Sequence, residues 1–137
     1  MLAEVGAQLP MERVHFLGRL AYADYLRVLQ ISACHVYLTY PFVLSWSCLE
    51  AMSVGRVVVA SRTGPVEEVI AHGVNGLLFD FFDTQTLTRQ VVDVLAEPAR
   101  HAALGSNARQ TVLDRYDLWT RCLPDQVKLM MGRPQET

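Results

Sequence analysis

Residues 34–61, CHVYLTYPFVLSWSCLEAMSVGRVVVAS, decide the fold. A short β-branched and aromatic run, CHVYLT (34–39), reads as a strand and stops before Pro41, which drives Tyr40 away from helical geometry. SCLEAMSV (47–54) reads as a helix, closed by Gly55 in the position where a left-handed residue ends one. RVVVAS (56–61) is then almost wholly apolar, as a strand covered on both faces requires. Strand, helix and strand in that order form the unit of a parallel sheet. Within it one carboxylate, Glu50, sits in an otherwise apolar stretch and asks for an explanation.

The flanks repeat the alternation. RVHFLG (13–18) reads as a strand ending at a glycine, and ADYLRVLQIS (23–32) as an amphipathic helix with Tyr25, Leu26, Val28 and Leu29 on its apolar side. PVEEVIAH (65–72) is a short helix ended by Gly73, VNG (74–76) a turn, and LLFD (77–80) a fourth strand. Beyond Asp83 the pattern turns helical over 84–96, 98–114 and 118–131, with Pro98 and Asp117 as start signals and a frayed 132–137. The expectation is an α/β domain over 1–131, a Rossmann-like parallel sheet with flanking helices. Four strands fall short of the five or six of most doubly wound domains, so the expected sheet is truncated at its N-terminal side.

Composition narrows the function. With 137 residues, 51% apolar and 19% charged, the chain can bury a core and is not of disordered composition. A net charge of −2 with scattered basic residues offers no patch for nucleic acid. Three widely spaced cysteines, Cys34, Cys48 and Cys122, read as buried thiols of a reducing compartment, and the isolated histidines lack metal-ligand spacing. No signal-peptide pattern opens the sequence, and no apolar run approaches the ~20 residues a membrane span needs. The expected location is the cytoplasm, a reading compatible with peripheral membrane association of a longer enzyme.

In open α/β sheets ligands bind beyond the carboxyl ends of the strands. Two loops there stand out, Gly18, Arg19 and Leu20 after the first expected strand and residues 40–46 after the second. The latter runs into a helix N-terminus, whose free N–H groups and partial positive charge suit a diphosphate without any basic side chain. Glu50, a turn further on, could accept two ribose hydroxyls, with charge-assisted bonds of about 1.5–3 kcal/mol each. An alternative is purely structural: Ser47, Cys48, Leu49 and Glu50 fit the S-x-x-E capping box, in which Ser47 caps the helix and Glu50 returns to its backbone. The residues alone leave both open. Thr63, Gly64 and Pro65 read as a helix start, Asn75 and Gly76 as a turn, and Trp46 and Trp119 as packing residues ahead of stacking platforms.

The order RVHFLGRL…CHVYLTYPFVLSWSCLEAMSVGRVVVASRTGPVEEVIAHGVNGLLFD resembles the C-terminal half of the family 4 retaining glycosyltransferases of GT-B fold, over about residues 10–130. LEAMSVGRVVVAS, with EEVIAHGVNGLLF at the right distance, is its most specific part. The resemblance implies that Glu50 binds the ribose of a nucleotide-diphosphate-sugar donor, and that transfer retains the anomeric configuration without a cofactor or metal. It implies that the backbone amides of Leu44, Ser45 and Trp46, where the family has Phe-Gly-Leu, face diphosphate and sugar. Val43 and Ser47 belong to the same donor loop, and Gly18, Arg19 and Leu20 line the base. The sequence departs at Phe42, where the family carries the first glutamate of an E-x₇-E pattern that contacts the donor sugar.

No residue here reads as a nucleophile or general base. The implied partners are a nucleotide sugar, an N-terminal GT-B domain bringing the acceptor side, and another chain at the exposed sheet edge. A non-catalytic nucleotide-binding module and an inactive interaction fragment are the competing readings.

Overall fold

The computed structural model describes residues 10–40 and 43–132. Its ordered elements are α1 (Tyr22–Ile31), β1 (Cys34–Tyr37), α2 (Trp46–Ser53), β2 (Val57–Ser61), α3 (Gly64–Glu67), β3 (Leu77–Phe79), α4 (Thr84–Ala96), α5 (Pro98–Tyr116) and α6 (Leu123–Met130). A single 3₁₀ turn at Met11–Arg13 precedes α1, and a π turn at Leu118–Cys122 leads into α6.

The described sheet has three parallel strands in the order β1-β2-β3. Cys34 pairs with Val57 and Tyr37 with Ala60, while Val59 pairs with Leu77 and Ser61 with Phe79. All five residues of β2 are buried, which explains why its sequence shows no polar alternation. Its side chains divide between two layers. Val58 and Ala60 join Cys48, Ala51 and Met52 of α2, Ile70, Leu78 and Ala108 on one face. Val57 joins Val94 of α4 and Leu104 of α5 on the other. Full burial of a valine contributes about 1.5–3 kcal/mol, so β2 is the energetic spine of the fold.

The strand expected at 13–18 does not form. Val14 is extended, but Phe16 and Leu17 are exposed and the segment pairs with no strand among the described residues. A β-branched run becomes a strand only when a neighbour takes up its N–H and C=O groups, and no described segment does so here.

The helix expected at 65–72 is cut to one turn. Asn75 ends it: its buried side chain accepts the Ala71 N–H at 2.8 Å and donates to the Val69 carbonyl and to Thr111 Oγ1, each at 3.0 Å. The side chain is therefore a structural tie between this turn and α5, beyond the turn signal the dipeptide gave. Asp117 starts the last helical segment as expected, accepting the N–H groups of Trp119 at 3.1 Å and Thr120 at 2.8 Å. Trp119 itself is not a packing residue, because its ring is exposed.

α2 lies against α5 where Gly55 meets Gly105; a Cβ on Gly105 would collide with the Gly55 carbonyl oxygen. Gly55 adopts φ +74°, the left-handed position its place after the helix predicts. Arg109 of α5 adds a bond from its guanidinium to the Ser53 carbonyl at the C-terminus of α2.

Candidate functional site

The mouth of the sheet is built from the carboxyl ends of β1 and β2. Ser61, fully buried, accepts the Thr39 N–H at 3.0 Å and donates to the Thr39 carbonyl at 2.8 Å, so the chain leaving β1 stays fastened to β2. Tyr37, the last residue of β1, accepts the Ser45 N–H on its hydroxyl at 2.8 Å and thereby fixes where α2 begins.

Ser45 caps that helix. Its Oγ accepts the Ser47 N–H at 3.4 Å and lies 3.2 Å from Ser47 Oγ. The expectation that Ser47 caps the helix is therefore corrected by two residues, and the physical reason is Tyr37, which grips the chain at Ser45. The shift also dissolves the capping box. With Ser45 as cap the third helical residue is Cys48, and Glu50 lies too far along to return to the cap's N–H. The Glu50 carboxylate instead accepts a hydrogen bond from the Tyr22 hydroxyl on Oε1, at 3.0 Å.

Two hollows adjoin at this helix start. One, about 900 Å³, opens at the end of β1 and is lined by Tyr37, Thr39, Val43, Leu44, Ser45, Trp46 and Ser47, among others. The other, about 460 Å³, is mostly apolar and is lined by Leu44, Trp46, Leu49, Glu50, Val112 and Tyr116 with Ser53 and Cys122. Leu44 and Trp46 line both. The Trp46 ring is 83% exposed, which removes the packing reading and leaves a flat apolar surface at the opening. The structure thus brings together Val43, Leu44, Ser45, Trp46, Ser47 and Glu50. Phe42 lies outside the described residues.

Gly18, Arg19 and Leu20 line neither hollow. Gly18, at φ +64°, turns the chain into the segment that starts α1, where Tyr22 meets Glu50. The N–H groups of Leu44 and Trp46 make no hydrogen bond among the described residues, whereas that of Ser45 is held by Tyr37. Arg62, the cation that follows β2, is engaged with Glu67 at 2.9 Å and reaches Asp80 at 3.9 Å.

Sequence reasoning missed Tyr22, Tyr25 and Tyr37. The Tyr22 hydroxyl is pushed above its ordinary range, first by donating to Glu50, then by desolvation and the carboxylate's charge. Tyr25 is raised to about 12, first by burial and then by the approach of its hydroxyl to the Glu50 carboxylate, although that shielded hydroxyl meets no partner in hydrogen-bond geometry among the described residues. Both rings belong to α1, 6.2 Å apart between centroids; Tyr25 reads from sequence as part of the apolar side, and Tyr22 precedes the helix expected at 23–32. Burial raises the Cys48 thiol to about 12, which keeps it protonated and unreactive near neutrality. Among the described residues no three His, Cys, Asp or Glu side chains cluster as metal ligands would.

Comparison with known proteins defines the class. Superposition matches the Anabaena protein Alr3699/HepE in complex with UDP-glucose, with a TM-score of 0.80 and 26% identity over 96% of this chain and 34% of that one. The C-terminal domain of a glycosyl transferase group 1 protein, LpcC of Francisella tularensis, matches with a TM-score of 0.71 at 18% identity, over 85% of this chain and 59% of that one. The α/β architecture is that of GT-B glycosyltransferase structures. Residues 4–111 match the profile of glycosyl transferases group 1, and the chain belongs to that family.

Among its relatives, N-acetyl-alpha-D-glucosaminyl L-malate synthase of Bacillus anthracis is 30% identical over 105 residues, 77% of this chain and 27% of the relative. A GDP-mannose-dependent alpha-(1-6)-phosphatidylinositol monomannoside mannosyltransferase of Mycolicibacterium smegmatis is 40% identical over 73 residues, 53% of this chain and 19% of the relative. The chain thus matches about a fifth to a quarter of the length of these relatives.

Proposed function

We propose that this chain is the donor-binding portion of a retaining, family 4 glycosyltransferase that takes a nucleotide-diphosphate sugar in the cytoplasm. The observation that carries the reading is Glu50. Its carboxylate lines a groove at the start of α2, has lost the capping role that would explain it structurally, and is steadied at one oxygen by Tyr22. Such a carboxylate is equipped to accept the paired hydroxyls of a ribose.

The rest of the donor is assigned around it. The N–H groups of Leu44 and Trp46, without a partner among the described residues and beside a helix N-terminus, offer a place for the diphosphate and the sugar, and Val43, Ser47 and Phe42 are assigned to the same donor. Gly18, Arg19 and Leu20 border the base. Charge building on the departing diphosphate is met by these N–H dipoles, the electrostatic term that dominates this kind of catalysis, and the reading requires no metal. The acceptor and the groups that act on it come from another domain. The relatives' names supply the ligand class by analogy, since one uses GDP-mannose and a structural neighbour holds UDP-glucose.

The outer edge of β1 is unpaired among the described residues and has Val36 and Leu38 exposed beside it, which favours association with that domain or with a second copy. A strictly monomeric 137-residue chain in light scattering would remove this part of the reading.

Glu50→Gln tests the central assignment. Affinity for GDP or UDP, whichever the chain binds, is expected to fall by about 1.5–3 kcal/mol, the range for hydrogen bonds to a charged group. Calorimetric titration showing equal affinity in a folded variant would return Glu50 to a structural role.

A further inference from the structure

We infer that Tyr22 is a positioning residue for Glu50, so that ribose recognition is shared between α1 and α2. The inference rests on the donor-site reading of Glu50. Tyr22 lies 28 positions before Glu50, opens α1, and donates its hydroxyl to Oε1 at 3.0 Å. Its side chain is 63% exposed, so core packing does not account for its placement. The polar tip is the part of it that is engaged.

A glutamate on a helix surface has three rotatable bonds, and binding a ligand through it forfeits their freedom. One oxygen already held by a tyrosine reduces that loss and raises affinity by preorganisation. The geometry leaves capacity for the ligand. A carboxylate offers about four lone-pair sites, Tyr22 uses one, and Oε2 has no hydrogen bond among the described residues.

The surroundings act in the same direction. Tyr25 lies beside Tyr22, ring centroids 6.2 Å apart and tilted by 34°, and its water-shielded hydroxyl sits close to the same carboxylate. A hydrogen bond to a carboxylate is stronger where water competes less. Because Tyr22 follows the turn at Gly18, the same bond also ties the start of α1, and the chain leading into it, to α2. Tyr22 would thus set both the aim of Glu50 and the distance between the ribose and base ends of the donor.

The experiment is a double-mutant cycle on the 137-residue chain with Tyr22→Phe, Glu50→Gln and both together. GDP and UDP are titrated beside their 2′,3′-dideoxy forms, with a melting curve for each variant. Tyr22→Phe is expected to weaken the ribonucleotide about three- to tenfold, the worth of one hydrogen bond, and to leave the dideoxy form unchanged. The melting temperature should move by no more than about two degrees, and the double variant should bind no worse than Glu50→Gln alone. If Glu50→Gln weakens binding while Tyr22→Phe does not, Tyr22 is not a positioning residue, although the donor reading stands. Equal losses for ribo and dideoxy forms would make Tyr22 a structural or base-contacting residue and overturn the inference. If Glu50→Gln changes nothing, or the unaltered chain binds neither nucleotide, the donor reading falls and this inference with it.

Discussion

The hydroxyl of Tyr37, at the carboxyl end of β1, accepts the Ser45 N–H at 2.8 Å and sets the first turn of α2. A strand residue thereby decides where the helix at the mouth of the sheet begins, and so which N–H groups remain free. Tyr37→Phe keeps the ring, which is buried in the core, and leaves the Ser45 N–H without its partner. The expected cost is about 1–3 kcal/mol, the penalty for stranding a shielded donor. Denaturant unfolding measures it. A midpoint unchanged by the substitution would mean that water replaces the hydroxyl and that Tyr37 does not fix the helix start.

Gly105 is required by the approach of α5 to α2. On an exposed helix, alanine in place of glycine stabilises by roughly 1 kcal/mol. At Gly105 the added methyl would instead meet the backbone carbonyl of Gly55, a group with no freedom to swing aside. Overpacking of this kind costs about 1–3 kcal/mol and outweighs the propensity gain. Gly105→Ala should therefore lower the thermal midpoint. A rise would show that the two helices separate at little expense.

The fold was legible where its signals were local, and parts of the site were not. Val57 to Ala60 announce a buried central strand because burial on both faces leaves no polar position to disguise it. The segment at 13–18 carries a similar pattern and forms no strand, because pairing depends on a neighbour that its own residues do not encode. Ser45 and Ser47 are equally good caps by type, and only Tyr37, eight residues upstream, selects between them. Glu50 drew attention as a lone acid. Its partner could not be read, since Tyr22 falls just before the helix expected at 23–32 and meets Glu50 only through the tertiary approach of α1 to α2.

His35 predicts an acid limb in stability. It lies on β1 stacked near Tyr37, 6.4 Å between ring centroids, and its Nε2 is buried without a hydrogen-bond partner among the described residues. Burial lowers its pKa from the ordinary 6.5, because the charged ring is penalised away from water. The sign follows from proton binding. Below pH 6.5 the unfolded chain takes up a proton that the folded chain refuses, so the contribution of His35 is complete above 6.5 and is lost as pH falls through the lower folded value. Asp83 and Asp117, whose carboxylates are held below 3.8 by the N–H groups and hydroxyls they accept from, act only at more acid pH. Stability measured downward from pH 7 should therefore decline before the carboxylates titrate, and His35→Gln should flatten that first decline. An unaltered slope in the variant would assign the limb to another group.

The phosphate end distinguishes dipoles from cations. If the diphosphate is met by the N–H groups at the start of α2, removing one of them should weaken binding more than removing the Arg19 charge. Trp46→Pro does this with little damage to the helix. Trp46 is the first helical residue, where proline is favoured, and Ser45 before it is already extended at φ −76° and ψ 145°, the geometry a following proline demands. Trp46→Ala is the control for the loss of the ring. Relative to that control, Trp46→Pro should reduce nucleotide-diphosphate affinity by about 1.5–3 kcal/mol, the worth of a hydrogen bond to a charged group. Binding of the corresponding nucleoside, which has no phosphate, should be the same in the two variants. Arg19→Ala should cost less than about 1 kcal/mol, as befits an exposed cation beside a screened anion. Calorimetric titration of all three variants with diphosphate and nucleoside decides the matter. A large loss in Arg19→Ala, with Trp46→Pro matching its alanine control, would move the diphosphate from the helix terminus to the Gly18 loop.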